Sequence, residues 1–438
     1  MHTTIFASRK TPFLRSCRSL GLGLLVALLL IPLEVTPAQD WPGILGPTQD
    51  GQAKSTQLKT ESWPSELKPN WEVGLGSGFA GAAIVGEKIL VPHRVGNQEM
   101  LQALDSKNGR SLWKVSWAAS YRGTVNPDSG PRCVPAVKDN LAVCYGAAGD
   151  AVCVDINQGK IIWQRPLRKE FQARDGYFGA GSSPIIVSDK AVICVGGKAG
   201  GIVALNLADG KDAWTATDYE ASYASPIITN SNAPNESPKL LCVMRYNTVL
   251  IDSSNGKVLG EVPFGRRGPT VNAATPIAID DSQKSFFLTA SYGIGSVLLD
   301  IDGGKLTSRY QDRRLMRSQY NTPIRIGDRM IGIDGREDTG DASLAAFDPV
   351  KQTTIWKTPV DFGTSHLIAT ENSALALTLQ GQLVVFDPQA EEYTELGRSL
   401  LPEGLYRSLP AISGNQLYLR VSDGLEESRL LRFDLPKP

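Results

Sequence analysis

An aspartate, a glycine and a tryptophan recur at fixed spacing along this chain, and no other feature narrows the fold as much. Asp105, Gly109 and Trp113 stand four and four apart, as do Asp155, Gly159 and Trp163. Asn206, Gly210 and Trp214 repeat the spacing with Asn in the first place. Asp252 and Gly256 follow, with Gly260 in the tryptophan place, then Asp300 and Gly304 with Ser308 there. Asp348 and Trp356 keep the ends of the pattern around Gln352, and Asp387 and Asp434 mark two more copies. The eight anchors lie 50, 51, 46, 48, 48, 39 and 47 residues apart. A sustained period of this size means an array of similar units, each too small to bury its own apolar face.

Each unit has the same physical logic. An apolar run such as Leu101–Leu104, Val152–Val154 or Leu344–Phe347 leads into the anchor and reads as a strand. The turn that follows ends in Gly, which takes the positive φ of a tight hairpin, while the Asp carboxylate bonds the turn's own amides. The next strand carries the Trp, whose ring is worth about 2–3 kcal/mol when buried between neighbouring sheets. A second column lies 20 to 26 residues before the anchors, at Pro135, Pro184, Pro226, Pro276, Pro323 and Pro410, with Ala83 and His366 in the same place elsewhere. Apolar pairs follow it, so another strand starts there, where a missing N–H costs nothing. Four strands per unit is the arithmetic of a propeller blade.

The ends fit a closed ring. The last copy stops at Pro438, four residues past Asp434, without room for a Trp strand. Trp71 stands alone before the first copy, with no Asp-Gly turn ahead of it. The expectation is an all-β, eight-bladed propeller of four-stranded blades over residues 71–438, closed by its N-terminal strand so that neither sheet edge stays open. Residues 39–70 read as an extended N-terminal segment.

The first 38 residues read as an export signal. Arg9, Lys10, Arg15 and Arg18 precede an apolar run from Leu20 to Pro32, and Thr36-Pro37-Ala38 supplies small residues for cleavage after Ala38. That run is too short to span roughly 30 Å of hydrocarbon. Export predicts a periplasmic or secreted protein with no membrane span after cleavage. The segment holds 4 basic residues and 1 acidic one, so the mature chain keeps 41 of 45 basic against 44 of 45 acidic residues. This balance argues against nucleic acid as a partner. With only 3 His in the whole chain, a multi-histidine metal centre is excluded. Cys133, Cys144, Cys153, Cys194 and Cys242 lie in apolar runs and read as buried thiols, although Cys144 and Cys153 could also meet across a hairpin.

The unit, with its apolar strand, Asp, three residues, Gly and then Trp, resembles the pyrroloquinoline-quinone-like (PQQ-like) propeller repeat. Trp41-Pro42-Gly43-Ile44-Leu45-Gly46-Pro47, Gly130-Pro131-Arg132, Arg168-Lys169-Glu170-Phe171 and Val271–Pro276 resemble segments of an exported bacterial group of these proteins. The resemblance implies two precedents of one fold, a scaffold of outer-membrane protein assembly and the quinoprotein alcohol dehydrogenases. The dehydrogenases carry adjacent cysteines and hold calcium beside the quinone. No two cysteines are adjacent here and no matching ligand motif occurs. No cofactor is therefore expected, with PQQ and calcium as the alternative.

One column offers a candidate site. The residues three before the Pro column are Ala80, Arg132, Gly181, Tyr223, Ala273, Tyr320, Gly363 and Arg407, alternately small and large. In a ring of eight, large side chains fit around the axis only beside small ones. Packing alone would make this set a plug. In a binding role, Arg132 and Arg407 would form a two-pronged site for a carboxylate or phosphate, with Tyr223 and Tyr320 as flat walls opposite. Asn272, Asn321 and His366 stand in adjacent columns and would line the same funnel. Gly76-x-Gly78-x-x-Gly81 is set aside as a dinucleotide motif because strands flank it. The acidic stretch Asp334, Glu337, Asp338 and Asp341 matches no calcium loop and reads as a solvated hairpin. The functional expectation is a non-catalytic envelope propeller that presents a rigid face or funnel to a protein, peptide or small anionic ligand. The alternative is a PQQ- or metal-dependent oxidoreductase acting on an alcohol or sugar.

Overall fold

The Asp-Gly hairpins form as their chemistry requires. Asp105 accepts the Lys107 amide, Asp155 those of Asn157 and Gln158, and Asp348 those of Val350 and Lys351. Gly109, Gly159, Gly210 and Gly256 all take positive φ, between 66° and 77°. The computed structural model describes residues 39–123, 125, 127–229, 237–359 and 362–438. The export-signal reading of residues 1–38 lies outside them.

These hairpins build eight antiparallel sheets whose strands follow chain order. The first blade consists of Ala83–Val85, Lys88–Val95, Gln98–Asp105 and Ser111–Ala118, from the axis outwards. The inner strands of the next six are Ala136–Lys138, Ile185–Val187, Ile227–Thr229, Ile277–Ala278, Ile324–Ile326 and Ser365–Thr370. Five of these start one residue after a column proline. The eighth blade holds Ala411–Ser413, Gln416–Ser422 and Glu427–Asp434, and its outer strand is Trp71–Gly76 from the other end of the chain. Trp71 pairs with Arg432 and Gly76 with Glu427, so the N-terminal strand closes the ring. Asn70 exchanges hydrogen bonds with Asp434, in place of the turn that the other blades use.

The tryptophans of the repeat latch one blade to the next. Trp71, Trp113, Trp163 and Trp214 donate their indole N–H to the carbonyls of Ser106, Ile156, Leu207 and Ser253, each one residue past the next blade's anchor. The rings lie on the turn glycines: a Cβ on Gly109, Gly159, Gly210 or Gly256 would meet the preceding blade's indole within 3 Å. A bulge one residue before the tryptophan position recurs in the outer hairpins of the first seven blades. The eighth blade, paired across chain ends, has none.

The degenerate blades depart from the expected spacing. In the fifth, the hairpin is two residues longer and turns at Gly303-Gly304. Tyr310 therefore occupies the tryptophan position opposite Leu298 and donates to the Pro349 carbonyl, and Ser308 does not hold that place. Gly304 touches no neighbouring blade, and Asp300 accepts from Arg309 and Ser285 instead of turn amides. In the seventh, Gly397 takes the position and Trp63 from the N-terminal segment lies over it.

The N-terminal segment also fills the axis, which sequence reasoning did not foresee. Trp41 pairs with Ile84, the Pro42 carbonyl accepts from Val137, and Gln49 bonds Pro226 and Ile228. Leu45 packs with Ile277 and Phe287, and Gln52 reaches the Arg325 carbonyl. Gln52–Ala53 then runs parallel to Ser365–Thr370, giving the seventh blade a fifth strand. Thr56 donates to the Gly414 carbonyl of the eighth blade. One strap thus touches the inner edge of seven of the eight blades.

At the closure, Arg420 is fully buried and donates to the carbonyls of Ala80, Pro92 and Gly76 and to Ser428 Oγ, tying the eighth blade to the first. Burial lowers its pKa to about 10, so it stays charged at neutral pH. Replacing Arg420 with Met should cost about 2–4 kcal/mol in urea unfolding, because the buried Ala80 and Pro92 carbonyls lose this donor while Gly76 keeps only Ser428; a loss below about 1 kcal/mol would contradict the role given to this clasp. Deleting residues 39–75 should leave an aggregating chain on gel filtration. A soluble truncation of unchanged melting temperature would refute closure and strap together.

Candidate functional site

Within each blade the connection to the next inner strand leaves from the same face of the ring. Around the axis on that face these connections enclose a funnel of about 260 Å³. Its wall includes Phe79, Arg132, Phe178, Tyr223, Tyr292, Tyr320, Glu337, His366 and Arg407, and Ile44 of the strap is part of its lining. The alternation of small and large side chains has a direct steric basis here, since the ring of Tyr223 occupies the space that a Cβ on Gly181 would need.

Of the seven candidate residues, five line this funnel and two do not. Arg132, Tyr223, Tyr320, His366 and Arg407 converge on it. The two guanidinium carbons lie 5.9 and 5.8 Å from the centroid of Phe79, with Arg132 also 5.9 Å from Tyr121 and Arg407 5.9 Å from Tyr320. Asn272 and Asn321 are instead spent on the scaffold. Asn272 Nδ2 donates to the carbonyls of Met244, Arg245 and Phe264, and Asn321 Nδ2 to that of Ser365. Both amides donate to backbone carbonyls, and neither residue is part of the funnel's lining.

The expected pair of arginines is split in use. Arg407 Nη1 and Nη2 each donate to Glu337 at 2.7 Å, and Tyr320 Oη donates to the same carboxylate at 2.9 Å. The fork of Arg407 is thus filled by the protein's own anion. Arg132 donates to the carbonyls of Gly130 and Asp128 at 2.7 and 2.9 Å. Of the five N–H donors on a guanidinium, three remain, and no carboxylate among the described residues pairs with them. Sequence reasoning missed Phe79, Phe178 and Glu337. Phe79 directly precedes a member of the small-large column and Phe178 stands three before another, but nothing in the repeat marks Glu337.

The buried histidines are neutral. Burial lowers His366 to about 4, and its Nε2–H donates to the Arg407 carbonyl at 2.9 Å. Burial and the nearby Arg420 lower His93 to about 4; its Nδ1 accepts the Gly76 amide and its Nε2–H donates to Gln102. The five cysteines are buried and unbridged, as the apolar runs implied. Each member of the acidic hairpin is engaged: Asp334 by Arg317 and Lys357, Glu337 by Arg407, Asp338 by Arg336, and Asp341 by Thr339 and the Arg336 amide. No group of three metal-ligating side chains occurs among the described residues. None of their helices is long and apolar enough to cross a membrane.

The family model of outer membrane protein assembly factor BamB matches residues 97–358, more than half of the chain. The chain belongs to this family of PQQ-like propeller repeat proteins. Among solved structures, BamB from Moraxella catarrhalis is similar at 14% identity and a TM-score of 0.58, covering 83% of this chain and 99% of its own. Sqt1 of Saccharomyces cerevisiae gives 11% identity and a TM-score of 0.59, covering 86% of this chain and all of that one. The quinohemoprotein alcohol dehydrogenase from Comamonas testosteroni gives 14% and 0.50, covering 91% and 81%. No curated protein matches. At such identities the likeness is one of fold, and an assembly factor and a dehydrogenase share it.

Burial holds the Glu99 carboxyl high. It is fully enclosed between the first two blades, and desolvation raises its pKa to about 7 against bonds from the Ala147 amide and the Trp117 indole and the charge of Arg94. A carboxyl with a folded pKa above its unfolded one binds more protons when folded, so its contribution falls as pH rises from about 4.5 to 7. Over that window wild type should lose stability relative to Glu99→Gln in parallel urea titrations. A difference independent of pH would refute the raised pKa.

Proposed function

We propose that this protein is an exported, non-catalytic binding propeller of the cell envelope. It holds a carboxylate-bearing or similarly anionic group of a protein, peptide or small ligand at the axial funnel. One observation carries the reading: Arg132 lies in a funnel walled by aromatic rings with three N–H donors and no carboxylate partner. A guanidinium so placed binds a planar anion with two parallel bonds, and the rings around it exclude water and strengthen them. The basic-apolar-small order of residues 1–38 supports export, and the BamB family match supports a binding or scaffold role.

The dehydrogenase reading finds less support in the residues. Calcium takes six to eight oxygen ligands, and the one carboxylate on the funnel wall among the described residues is Glu337, held by Arg407 through both oxygens. The cysteines among the described residues are buried, and no two cysteines of the chain are adjacent in sequence. This donor set does not fit calcium beside a quinone.

N-acetyl-phenylalanine, which joins an aromatic ring to a carboxylate, is a suitable probe by calorimetry. It should bind the mature protein, with its carboxamide and the Arg132→Ala variant each at least about tenfold weaker, as loss of a charged hydrogen-bond pair implies. Arg132→Ala should keep its melting temperature. A large fall in stability with unchanged binding would assign Arg132 to packing of the channel instead.

A further inference from the structure

Beside the funnel, on the same face, lies an open groove of about 710 Å³ between the fourth, fifth and sixth blades. Five arginines line it, Arg266, Arg267, Arg313, Arg317 and Arg336, against a single carboxylate, Asp341. Arg266, Arg267, Arg313 and the adjacent Arg314 are exposed, and none forms an ion pair with a described carboxylate. The nearby acids give no relief. Asp334 is held by Arg317 and Lys357, Asp338 by Arg336, and Asp341 by Thr339 and a backbone amide. A chain of zero formal charge has therefore collected unpaired positive charge in one groove. Such a field steers and holds a partner of opposite sign.

The walls of the groove are preformed. Gly265 and Gly268 take φ of 142° and 123°, which fixes the loop that presents Arg266 and Arg267. Gly293 leaves room for Arg266, whose Nη1 lies 2.8 Å from where a Cβ would stand. Arg336 covers the ring of Tyr292 at 4.4 Å from its centroid. Tyr292 lines both this groove and the funnel, and Thr270 lines both the groove and a cleft of about 590 Å³ above the third and fourth blades. The three depressions thus adjoin on one face, sharing these walls.

We propose that this groove docks an acidic, extended peptide segment of a partner protein. Two observations favour a peptide over a nucleic acid. The charge in the groove comes from a handful of arginines on a protein with a pI near 6.8, whereas a nucleic-acid surface needs a long basic stripe. The groove's one aromatic ring is already covered by Arg336, so it offers no platform on which a base can stack. The open groove, lined by arginines along its length, suits a chain in extended conformation, which lays successive carboxylates along it at about 3.3 Å per residue. The inference deepens the binding reading of this face but rests on residues other than Arg132.

The test is fluorescence anisotropy with a labelled Glu-Ser octapeptide at low salt, using the mature protein. Wild type should bind it, and binding should weaken as salt rises. Arg267→Glu combined with Arg313→Glu, both in the groove's lining, should weaken it at least about tenfold, because like charges now face each other. Both side chains are exposed and unpartnered, so the melting temperature should hold. Lys160→Glu, a reversal on the opposite face, should change affinity less than about twofold. Three results would overturn the proposal: equal binding by the double variant, tighter binding of a single-stranded DNA octamer than of the peptide, or loss of peptide binding in Arg132→Ala alone. The last would place the peptide in the funnel and leave the binding reading of the face intact.

Discussion

Everything else in the molecule depends on how each blade is fastened to its neighbour. An indole from one outer strand lies on the turn glycine of the next blade and donates to the carbonyl beside that blade's anchor aspartate or asparagine. The contact requires three residues at once: an aspartate to shape the turn, a glycine with neither Cβ nor preference for negative φ, and an aromatic ring after a bulge. That joint demand explains why the three recur together. Where the tryptophan is missing, the protein fills its place in other ways: with the rings of Tyr310 in the fifth blade and Trp63 over the seventh, and with a close backbone approach by Gly260 in the fourth.

A ring fastened in this way still has a seam and a hole, and the N-terminal segment serves both. Trp71–Gly76 completes the last sheet, while residues 41–56 run along the inner edges and cap backbone groups that would otherwise face the axis unpaired. Because the strap closes the channel, the ring of large residues above it is released from serving as the plug. Arg132, Tyr223, Tyr320 and Arg407 narrow the axis to a funnel without filling it.

The blades were legible because their contacts are local in sequence and repeated. The spacing from Asp105 to Trp113 carries the hairpin, the bulge and the latch in nine residues. The path of residues 41–56 was not legible, since its partners (Ile84, Pro226, Arg325 and Gly414) share no pattern with it. At the site, the small-large column was readable because steric exclusion acts between equivalent positions, as Gly181 and Tyr223 show. The partnership of Arg407 with Glu337 joins residues 70 apart and lies outside the repeat. Asn272 and Asn321 misled for a related reason: they stand in the right columns, but carbonyls left unpaired where strands end claim their amides.

The fold is shared by an assembly factor and by a quinohemoprotein dehydrogenase, so the decision between binding and catalysis belongs to the funnel's own residues. An unpaired guanidinium among aromatic rings suits recognition of an anion. A single carboxylate already bound to Arg407 does not suit calcium. The most direct measurement is to incubate the mature protein with PQQ and Ca²⁺, remove the excess by gel filtration, and record the absorption spectrum with dye-linked alcohol oxidation. A binding propeller retains no quinone chromophore and shows no turnover. A retained chromophore with turnover would contradict this account and make the protein an oxidoreductase.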